Sequence, residues 1–416
     1  MVLVTGVSRY LGSRLAGRLA ADPSIERVIG VDTVPPVRAD LDLLGRTEFV
    51  RADIRNPLIG KVISQAGVDT VVHASVTATP HGAGGRTPMK EMNVIGTMQL
   101  LAACQKSDTV RRLIVKSTTA VYGTSSRDPA IFTEDMSARS LPAGGYAKDA
   151  VEVEGYVRGF LRRRPDIEVT LLRFANFIGP FIDTPLTRYF QLPVVPTAFG
   201  LDPRMQLLHE TDAIEILRLA ATSSRPGTFN VAGDGALLLS QAIRRAGRVA
   251  LPVPARAVSV VGRLIRRSGM ADFSPEQMQF LNFGRVVCNA RLKQEFGYRP
   301  AYTTAEAFES FLTGRPVDPV IKPSAVRAGE KALAGLLGIR AERDITLPAE
   351  PADRPAPAGR PAPAGRPAPA GRPAAAGRPA PADRPEQVGG PARAGGRRTG
   401  SGRKRTPAPF GVVRHG

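Results

Sequence analysis

The chain opens with the stretch that decides its fold, Val2-Leu3-Val4-Thr5-Gly6-Val7-Ser8-Arg9-Tyr10-Leu11-Gly12. Its first residues are apolar, which predicts a buried strand over 2–4. A helical pattern follows over 10–21, so Gly6 lies in a turn between strand and helix. Backbone N–H groups at a helix N-terminus point towards an anion, and the helix dipole favours its charge. The stretch therefore predicts a phosphate-binding turn at the edge of a sheet.

The alternation of short apolar runs and helical patterns continues to about residue 180. These runs are rich in β-branched residues, as in a parallel sheet that helices cover on both faces. The sequence thus predicts an α/β fold, a doubly wound parallel sheet of the Rossmann type. Further strands are predicted over 27–31, 48–50, 70–72, 113–115 and 169–172, and further helices over 89–104 and 146–164.

Three residues define the predicted nucleotide site beyond the turn itself. Gly12 lets the first helix lie close to the sheet, and Asp32, 20 residues later, ends the second strand. An acid at that position binds the adenosine ribose and repels a 2′-phosphate, which favours NAD over NADP. Arg9 stands where another glycine is usual. Its guanidinium could hold a phosphate and favour NADP, but we give the carboxylate of Asp32 more weight.

Composition argues against several classes of protein. The formal net charge is +20, and residues 351–416, with 13 basic and 3 acidic side chains, carry half of it. The excess of Arg, Ala, Gly and Pro indicates a GC-rich coding bias rather than nucleic-acid binding. The two cysteines are far apart, so we expect neither a disulfide framework nor a metal site. No signal peptide or transmembrane segment is visible, and a cytoplasmic protein is expected.

The chain divides by composition into four regions. Residues 1–180 form the predicted nucleotide-binding domain, and residues 181–315 a smaller C-terminal substrate lobe interleaved with it. Within the lobe, residues 255–268 read as a basic amphipathic helix, which we expect to pack in the lobe rather than on an anionic membrane. Residues 316–350 form a short helical linker. Residues 351–416 repeat Pro-Ala-Pro-Ala-Gly-Arg, which predicts a disordered tail. The tail is either merely solvated or an electrostatic tether to polyanions.

Short motifs follow one another in order over residues 1–315: Tyr10-Leu11-Gly12, Asp53-Ile54, Val71-Val72-His73-Ala74, Asn93-Val94-Ile95-Gly96-Thr97, Ser117-Thr118-Thr119-Ala120-Val121-Tyr122-Gly123, Leu172-Arg173-Phe174-Ala175-Asn176-Phe177-Ile178-Gly179-Pro180, Asn230-Val231-Ala232-Gly233 and Phe296-Gly297-Tyr298-Arg299-Pro300. In this order and spacing they resemble the extended short-chain dehydrogenase/reductases. The resemblance is to the NAD-dependent epimerase/dehydratase family, typified by UDP-glucose 4-epimerase.

The resemblance implies an NAD-dependent epimerase, dehydratase or reductase whose substrate is a nucleotide sugar. By position, Tyr146 corresponds to the tyrosine that takes a proton from a substrate hydroxyl, and Thr118 to the residue that bonds the same oxygen. Asn176 corresponds to a substrate contact. A homodimer paired through the helices over 89–104 and 146–164 is also implied. The implied cofactor contacts are Gly6, Arg9, Tyr10, Leu11, Gly12, Asp32, Asp53, Ile54 and Asn93.

One residue departs from the family pattern. Where the family has Tyr-x-x-x-Lys, this chain has Ala150, four residues after Tyr146. Lys148 is no substitute, because on a helix position i+2 lies about 200° from the tyrosine and i+4 only about 40°. The missing ammonium would bond the nicotinamide ribose and stabilise tyrosinate. Two hypotheses follow, an enzyme that keeps Thr118 and Tyr146, and a nucleotide-binding scaffold or sensor without turnover.

Overall fold

The computed structural model describes residues 1–77, 86–138, 145–254 and 275–315. The helix predicted over 255–268, the linker 316–350 and the tail 351–416 lie outside these ranges. No helix in the ranges is long and apolar enough to cross a membrane.

Seven strands form one parallel sheet, and this confirms the predicted Rossmann-type architecture. The order across the sheet is β11-β6-β5-β4-β1-β2-β3. Every neighbouring pair is parallel. The strands are β1 (Val2–Thr5), β2 (Val28–Asp32), β3 (Glu48–Arg51), β4 (Thr70–His73), β5 (Arg112–Thr118), β6 (Glu168–Phe174) and β11 (Gly227–Val231).

Helices cover both faces of this sheet. On one face lie α1 (Tyr10–Ala20), α2 (Arg38–Leu44) and α8 (Glu210–Thr222), and on the other α3 (Ile59–Ala66), α5 (Gly96–Lys106) and α6 (Gly145–Arg163). Because side chains alternate along a strand, neighbours in β1 enter different cores. Val4 packs with the α1 side and Leu3 with the α3 side. Both faces are therefore buried, as the unbroken apolar runs predict.

The helix predicted over 89–104 is built from three segments. A short α4 (Arg86–Lys90) leads into a π-helical turn (Glu91–Ile95), and α5 follows. The turn contains Asn93, whose side chain bonds both the N–H and the C=O of Thr77. Such wide turns cluster at functional sites, and periodicity alone does not distinguish them from an α-helix.

Apart from α8 and β11, the residues after β6 build a smaller lobe around its own core. Phe190, Phe308 and Phe311 are fully buried there. The rings of Phe190 and Phe308 pack edge to face, with 4.9 Å between the ring centres. Its strands are β7 (Asn176–Ile178), β8 (Val194–Ala198), β9 (Arg204–Met205), β10 (Leu207–His209), β12 (Leu237–Leu238) and β13 (Val249–Val253). Its helices are α7 (Pro185–Gln191), α9 (Leu239–Arg245), α10 (Pro275–Phe283), α11 (Ala290–Gln294) and α12 (Thr304–Gly314).

The strand order reverses direction between β1 and β4. From β1 the chain builds β2 and β3 on one side, and then returns to build β4, β5 and β6 on the other. Ligands of open α/β sheets bind in the crevice that such a reversal leaves at the carboxyl ends of the strands. Thr5, Asp32 and Thr118 are the last residues of their strands and lie at that edge. The fold therefore places two of the predicted site residues, Asp32 and Thr118, at the same edge of the sheet.

Candidate functional site

The turn after β1 is shaped by two glycines in contact. Gly6 has φ +78°, a conformation that side chains disfavour, and its N–H donates to the carbonyl of Val31 at 2.8 Å. A Cβ on Gly6 would lie 2.9 Å from the Cα of Ser75, and one on Gly12 only 2.1 Å from the carbonyl oxygen of Gly6. At Gly6 and Gly12 there is therefore no room for a side chain, because the turn packs directly against the start of α1 and the loop after β4. This close approach leaves the first N–H groups of α1, which have no acceptor inside the helix, facing the crevice.

Arg9 occupies the N-cap of α1 without backbone strain. Its φ of −111° and ψ of 154° lie in the extended region open to any residue, so this position does not require glycine. Its guanidinium is half-buried, and burial lowers its pKa while the nearby Asp32 carboxylate acts in the opposite direction. The arginine thus adds a positive charge to the turn.

Asp32 ends β2 beside this turn and is half-buried. One carboxylate oxygen accepts the N–H of Ser8 at 3.1 Å, and the other accepts the N–H of Thr33 at 2.8 Å. The carboxylate therefore bonds the turn itself. The second of these oxygens also accepts the hydroxyl of Thr33 at 3.4 Å, and the first retains a lone pair that a further hydroxyl could donate to.

Tyr10 and Leu11 form the first turn of α1. Leu11 is buried in the core on the α1 face of the sheet. The phenol of Tyr10 faces the carboxylate of Glu210. Burial raises the pKa of both groups; the contact between them adds to the rise at Tyr10 and opposes it at Glu210. Glu210 also accepts the N–H of Ile182 at 2.6 Å. The nucleotide turn is thereby connected to the loop that enters the smaller lobe.

Asp53 and Ile54 lie in the loop after β3. Asp53 forms an ion pair with Arg55 at 2.7 Å. Burial raises the pKa of Asp53, but the bonds to Arg55 outweigh burial and the pKa is lowered. Ile54 is buried, and its terminal carbon would lie 2.8 Å from a Cβ on Gly96. These two residues place one carboxylate and one apolar side chain beside the crevice.

Asn93 is fully buried, and neighbouring groups occupy its side-chain amide. Its oxygen accepts the N–H of Thr77, and its nitrogen donates to the carbonyl of Thr77 and, at 3.2 Å, to Asp149. The structure therefore places Asn93 behind the loop that follows β4, where it fixes the position of that loop.

Thr118 and Tyr146 are brought together although 28 residues separate them. Thr118 ends β5 and Tyr146 begins the first turn of α6, and the Thr118 hydroxyl lies close enough to the phenol to affect its pKa. The pKa of Tyr146 is raised to about 12, because burial outweighs the lowering by the Thr118 hydroxyl and by the charge of Arg285, and Asp149 acts with burial. The pair forms a hydroxyl–phenol arrangement that could take a proton from a substrate hydroxyl or return it.

The lysine position of the family pattern lies in the core. Ala150 is buried and packs with Val121 and Tyr122. Lys148 is exposed, on the far side of α6, as its spacing from Tyr146 predicts. Neither residue brings an ammonium group to the phenol of Tyr146.

Asn176 opens β7, two residues after β6 ends. It is half-buried, and β7 pairs in parallel with β10 through Asn176 and Leu207. The residue therefore lies where the sheet passes into the smaller lobe.

Sequence reasoning missed three charged residues near the site. Lys116 is buried in β5, two residues before Thr118. Asp149 is fully buried beside Tyr146 and pairs with Arg86 at 2.6 Å. Arg285 donates to the carbonyl of Gly123 at 3.0 Å from the segment after α10. Only Lys116 left a sequence signal, as a lysine inside an apolar strand.

His73 and Asp212 hold neighbouring segments of the chain together by hydrogen bonds. His73 bonds Thr5 at 3.0 Å and Thr97 at 2.7 Å. Asp212 accepts the phenol of Tyr298 at 2.6 Å and the N–H of Ala301 at 2.8 Å. Within the described ranges, no three His, Cys, Asp or Glu side chains cluster as metal ligands would.

Solved structures share this fold. A UDP-glucuronic acid 4-epimerase from Bacillus cereus, solved with UDP-glucuronic acid and NAD, matches 75% of this chain and 98% of its own with a TM-score of 0.58 and 18% identity. A dTDP-glucose 4,6-dehydratase from Streptomyces venezuelae, solved with NAD and TYD, matches 75% of this chain and 96% of its own with a TM-score of 0.55 and 24% identity. At such identities these likenesses establish the fold alone.

Relatives by sequence extend the comparison. An uncharacterized protein from Mycobacterium tuberculosis is 51% identical over 336 residues, which are 81% of this chain and 89% of the relative. A probable UDP-arabinose 4-epimerase from Oryza sativa is 30% identical over 188 residues, 43% of this chain and 45% of the relative. The model of the NAD dependent epimerase/dehydratase family matches residues 2–232. With more than half of its length matched, and with the turn, sheet order and hydroxyl–phenol pair described above, this chain belongs to the NAD-dependent epimerase/dehydratase family.

Proposed function

We propose that this chain binds NAD and uses it in the epimerisation, or a related oxidoreduction, of a nucleotide sugar. The observation that carries the proposal is that the Tyr146 phenol and the Thr118 hydroxyl come together at the edge of the sheet where the Gly6 turn also lies. The two solved neighbours from Bacillus cereus and Streptomyces venezuelae contain NAD, and the first also contains UDP-glucuronic acid. Those ligands are chemically suited to this crevice.

The residues of the crevice fit a dinucleotide. The close contact between Gly12 and Gly6 sets the start of α1 against the turn, so that a diphosphate could reach the amide groups of α1 near Tyr10 and Leu11, with the guanidinium of Arg9 beside it. The carboxylate of Asp32 would accept the adenosine ribose hydroxyls, and its charge would exclude a 2′-phosphate. The remaining cofactor positions are Asp53 and Ile54 at the adenine, and Asn93, which acts by holding the loop at Thr77.

NAD supplies a hydride acceptor in such a site. The phenolate of Tyr146 would take the proton of a substrate hydroxyl, and Thr118 would orient that hydroxyl. Asn176, at the entrance to the smaller lobe, would contact the sugar nucleotide. With a pKa of about 12, only about one Tyr146 in 100,000 is ionised at pH 7, so the reaction needs a positive charge near the phenol.

The test is turnover of UDP-glucose and UDP-glucuronic acid by the full-length protein with NAD, followed by product analysis. Tyr146→Phe should abolish turnover, and Thr118→Val should lower it by 10²–10⁴-fold, roughly the value of positioned acid–base groups. Tyr156→Phe is the matched control, because Tyr156 is an exposed residue of the same helix. Equal turnover by native protein and Tyr146→Phe would contradict the proposal.

A second candidate function is a nucleotide-binding scaffold or sensor that does not turn over. The buried Ala150 and the high pKa of Tyr146 favour it. Calorimetry with NAD, together with the turnover assay, distinguishes the two functions, because a scaffold binds NAD without converting any sugar nucleotide. If the native protein were inactive and Ala150→Lys turned over a nucleotide sugar, the scaffold function would be supported.

A further inference from the structure

Lys116, two residues before Thr118 in β5, is buried without an acidic partner among the described residues. Lys116 is 8% exposed, and its ammonium group donates to the carbonyl of Val76. The ring of Phe177 lies 6.0 Å from the ammonium nitrogen. No carboxylate in the described part of the chain forms an ion pair with it. A buried ammonium is costly without a counter-charge, so an unpaired one indicates a site that an anion completes.

The strand register places this ammonium beside the nucleotide turn. His73, the last residue of β4, pairs with Val115, so Lys116 lies beyond the end of β4 and reaches the loop that follows it. In that loop, Val76 bonds the ammonium, and its neighbour Ser75 is the residue that a Cβ on Gly6 would strike at 2.9 Å. Lys116 also lies on the same face of the sheet as Ile114, which packs on the α1 side.

The surroundings of Lys116 are positive or neutral. Burial, together with the guanidinium of Arg9, lowers its pKa to about 7. His73, on the neighbouring strand, stays neutral because burial and the charge of Lys116 lower its pKa to about 3. Asp32 lies near Arg9, on the other side of the turn. Near pH 7 the lysine is therefore divided between its charged and neutral forms.

Resting on the proposed function, we propose that Lys116 is a contact for the diphosphate of the bound dinucleotide, and that it takes up a proton when the dinucleotide binds. The diphosphate carries the negative charge that the buried ammonium lacks. The proton comes from solvent and remains on the ammonium nitrogen, and no covalent bond changes. Lys116 thus adds a cation to the nucleotide site of a chain that has alanine at position 150.

The direction of the pH effect follows from this charge. An anion beside the ammonium raises its pKa towards the ordinary value of lysine, about 10.4. Binding then takes up close to one proton between pH 7.5 and about 9, and affinity falls up to about tenfold per pH unit over that interval. Arg9 stays charged and His73 stays neutral across it.

The experiment is isothermal titration calorimetry of the full-length protein with NAD at pH 8, in two buffers of different ionisation enthalpy. The difference in heat between the buffers gives the number of protons taken up. A second titration uses ADP-ribose, which has the same diphosphate without the nicotinamide ring. The native protein should take up more than half a proton with either ligand, and affinity for both should fall as pH rises from 7.5 to 9.

Three variants complete the experiment. Lys116→Met should weaken binding at pH 7.5 about tenfold and remove both proton uptake and pH dependence. Methionine suits the apolar surroundings, so this variant should fold at least as stably as the native protein, which urea denaturation checks. Lys116→Arg, always charged, should bind without proton uptake. Lys61→Met, at an exposed position of α3, should behave as the native protein does.

The outcomes separate this inference from the proposed function. Binding of NAD by native protein and Lys116→Met with equal affinity and equal proton uptake would overturn the inference and leave the proposed function intact. Absence of any binding of NAD and ADP-ribose to the native protein would overturn both.

Discussion

The guanidinium of Arg86 lies 2.6 Å from the carboxylate of Asp149, whose side chain is fully buried beside Tyr146. Removing the arginine leaves a buried carboxylate without its charged partner. We expect Arg86→Met to lower the free energy of unfolding by about 2–4 kcal/mol, below the full cost of a buried pair because Arg86 is partly exposed. Urea denaturation measures this change.

The matched control for Arg86 is an exposed ion pair. Arg27 and Glu48 also approach to 2.7 Å, but both side chains are exposed. Arg27→Met should change the free energy of unfolding by less than about 1 kcal/mol. Equal effects of the two substitutions would show that the burial of Asp149 has no energetic consequence.

Gly12→Ala should damage the nucleotide turn. The added Cβ would lie 2.1 Å from the carbonyl oxygen of Gly6, so α1 must move away from the turn. We expect a loss of about 1–3 kcal/mol in stability and a weakening of NAD binding by more than tenfold. Gly60→Ala is the control, because a Cβ there meets only the Cβ of Ala103 at 3.7 Å in another helix. If Gly12→Ala bound NAD with native affinity, the turn after β1 would not be part of the NAD-binding site.

Asp32→Asn should reduce the preference for NAD over NADP. The amide oxygen can still accept one backbone N–H, but the negative charge that repels a 2′-phosphate is gone. We expect the ratio of the two dissociation constants, measured by calorimetry, to change at least tenfold. Asp42→Asn, on the exposed side of α2, should leave the ratio unchanged. If the native protein instead bound NADP strongly, the positive charge of Arg9, and not the negative charge of Asp32, would determine the cofactor preference.

Arg285→Met should shift the pH dependence of turnover. Its guanidinium lowers the pKa of Tyr146, which burial holds at about 12, so without it the pKa rises and less tyrosinate is present. The pH at which activity increases should therefore shift upward. At pH 8.5, kcat/KM should fall about tenfold for each unit by which the pKa of Tyr146 increases. Arg285→Lys should retain part of the activity.

Arg291→Met is the control for Arg285, because Arg291 forms an exposed pair with Glu295 on α11. If the pH profile of Arg285→Met were unchanged, the charge of Arg285 would have no effect on the pKa of Tyr146.

The fold could be predicted from sequence because the decisive signals are local. The apolar run before Gly6 and the helical pattern after it lie within 20 residues, and the same unit repeats along the chain. Ser117 to Gly123 also indicated where the hydroxyl residue lies. Thr118 and Tyr146 do meet, because β5 ends where α6 begins across the edge of the sheet.

The charges around the site could not be predicted in the same way. Arg285 reaches the segment after Thr118 from 167 residues further along the chain, so only tertiary structure brings them together. The pairing of Asp149 with Arg86 likewise joins two helices that sequence does not relate. The π-helical turn at Asn93 has nearly the periodicity of an α-helix, so the pattern indicated one continuous helix there.

The position of β11 has a consequence for how the protein is made. Residues 227–231 form the outermost strand, next to β6, although the polypeptide first builds part of the smaller lobe. Until the ribosome has released that segment, β6 presents an unpaired and apolar margin that other chains can join. A truncated or stalled product ending before residue 227 should therefore aggregate, and expression of the nucleotide-binding half alone needs β11 to be included.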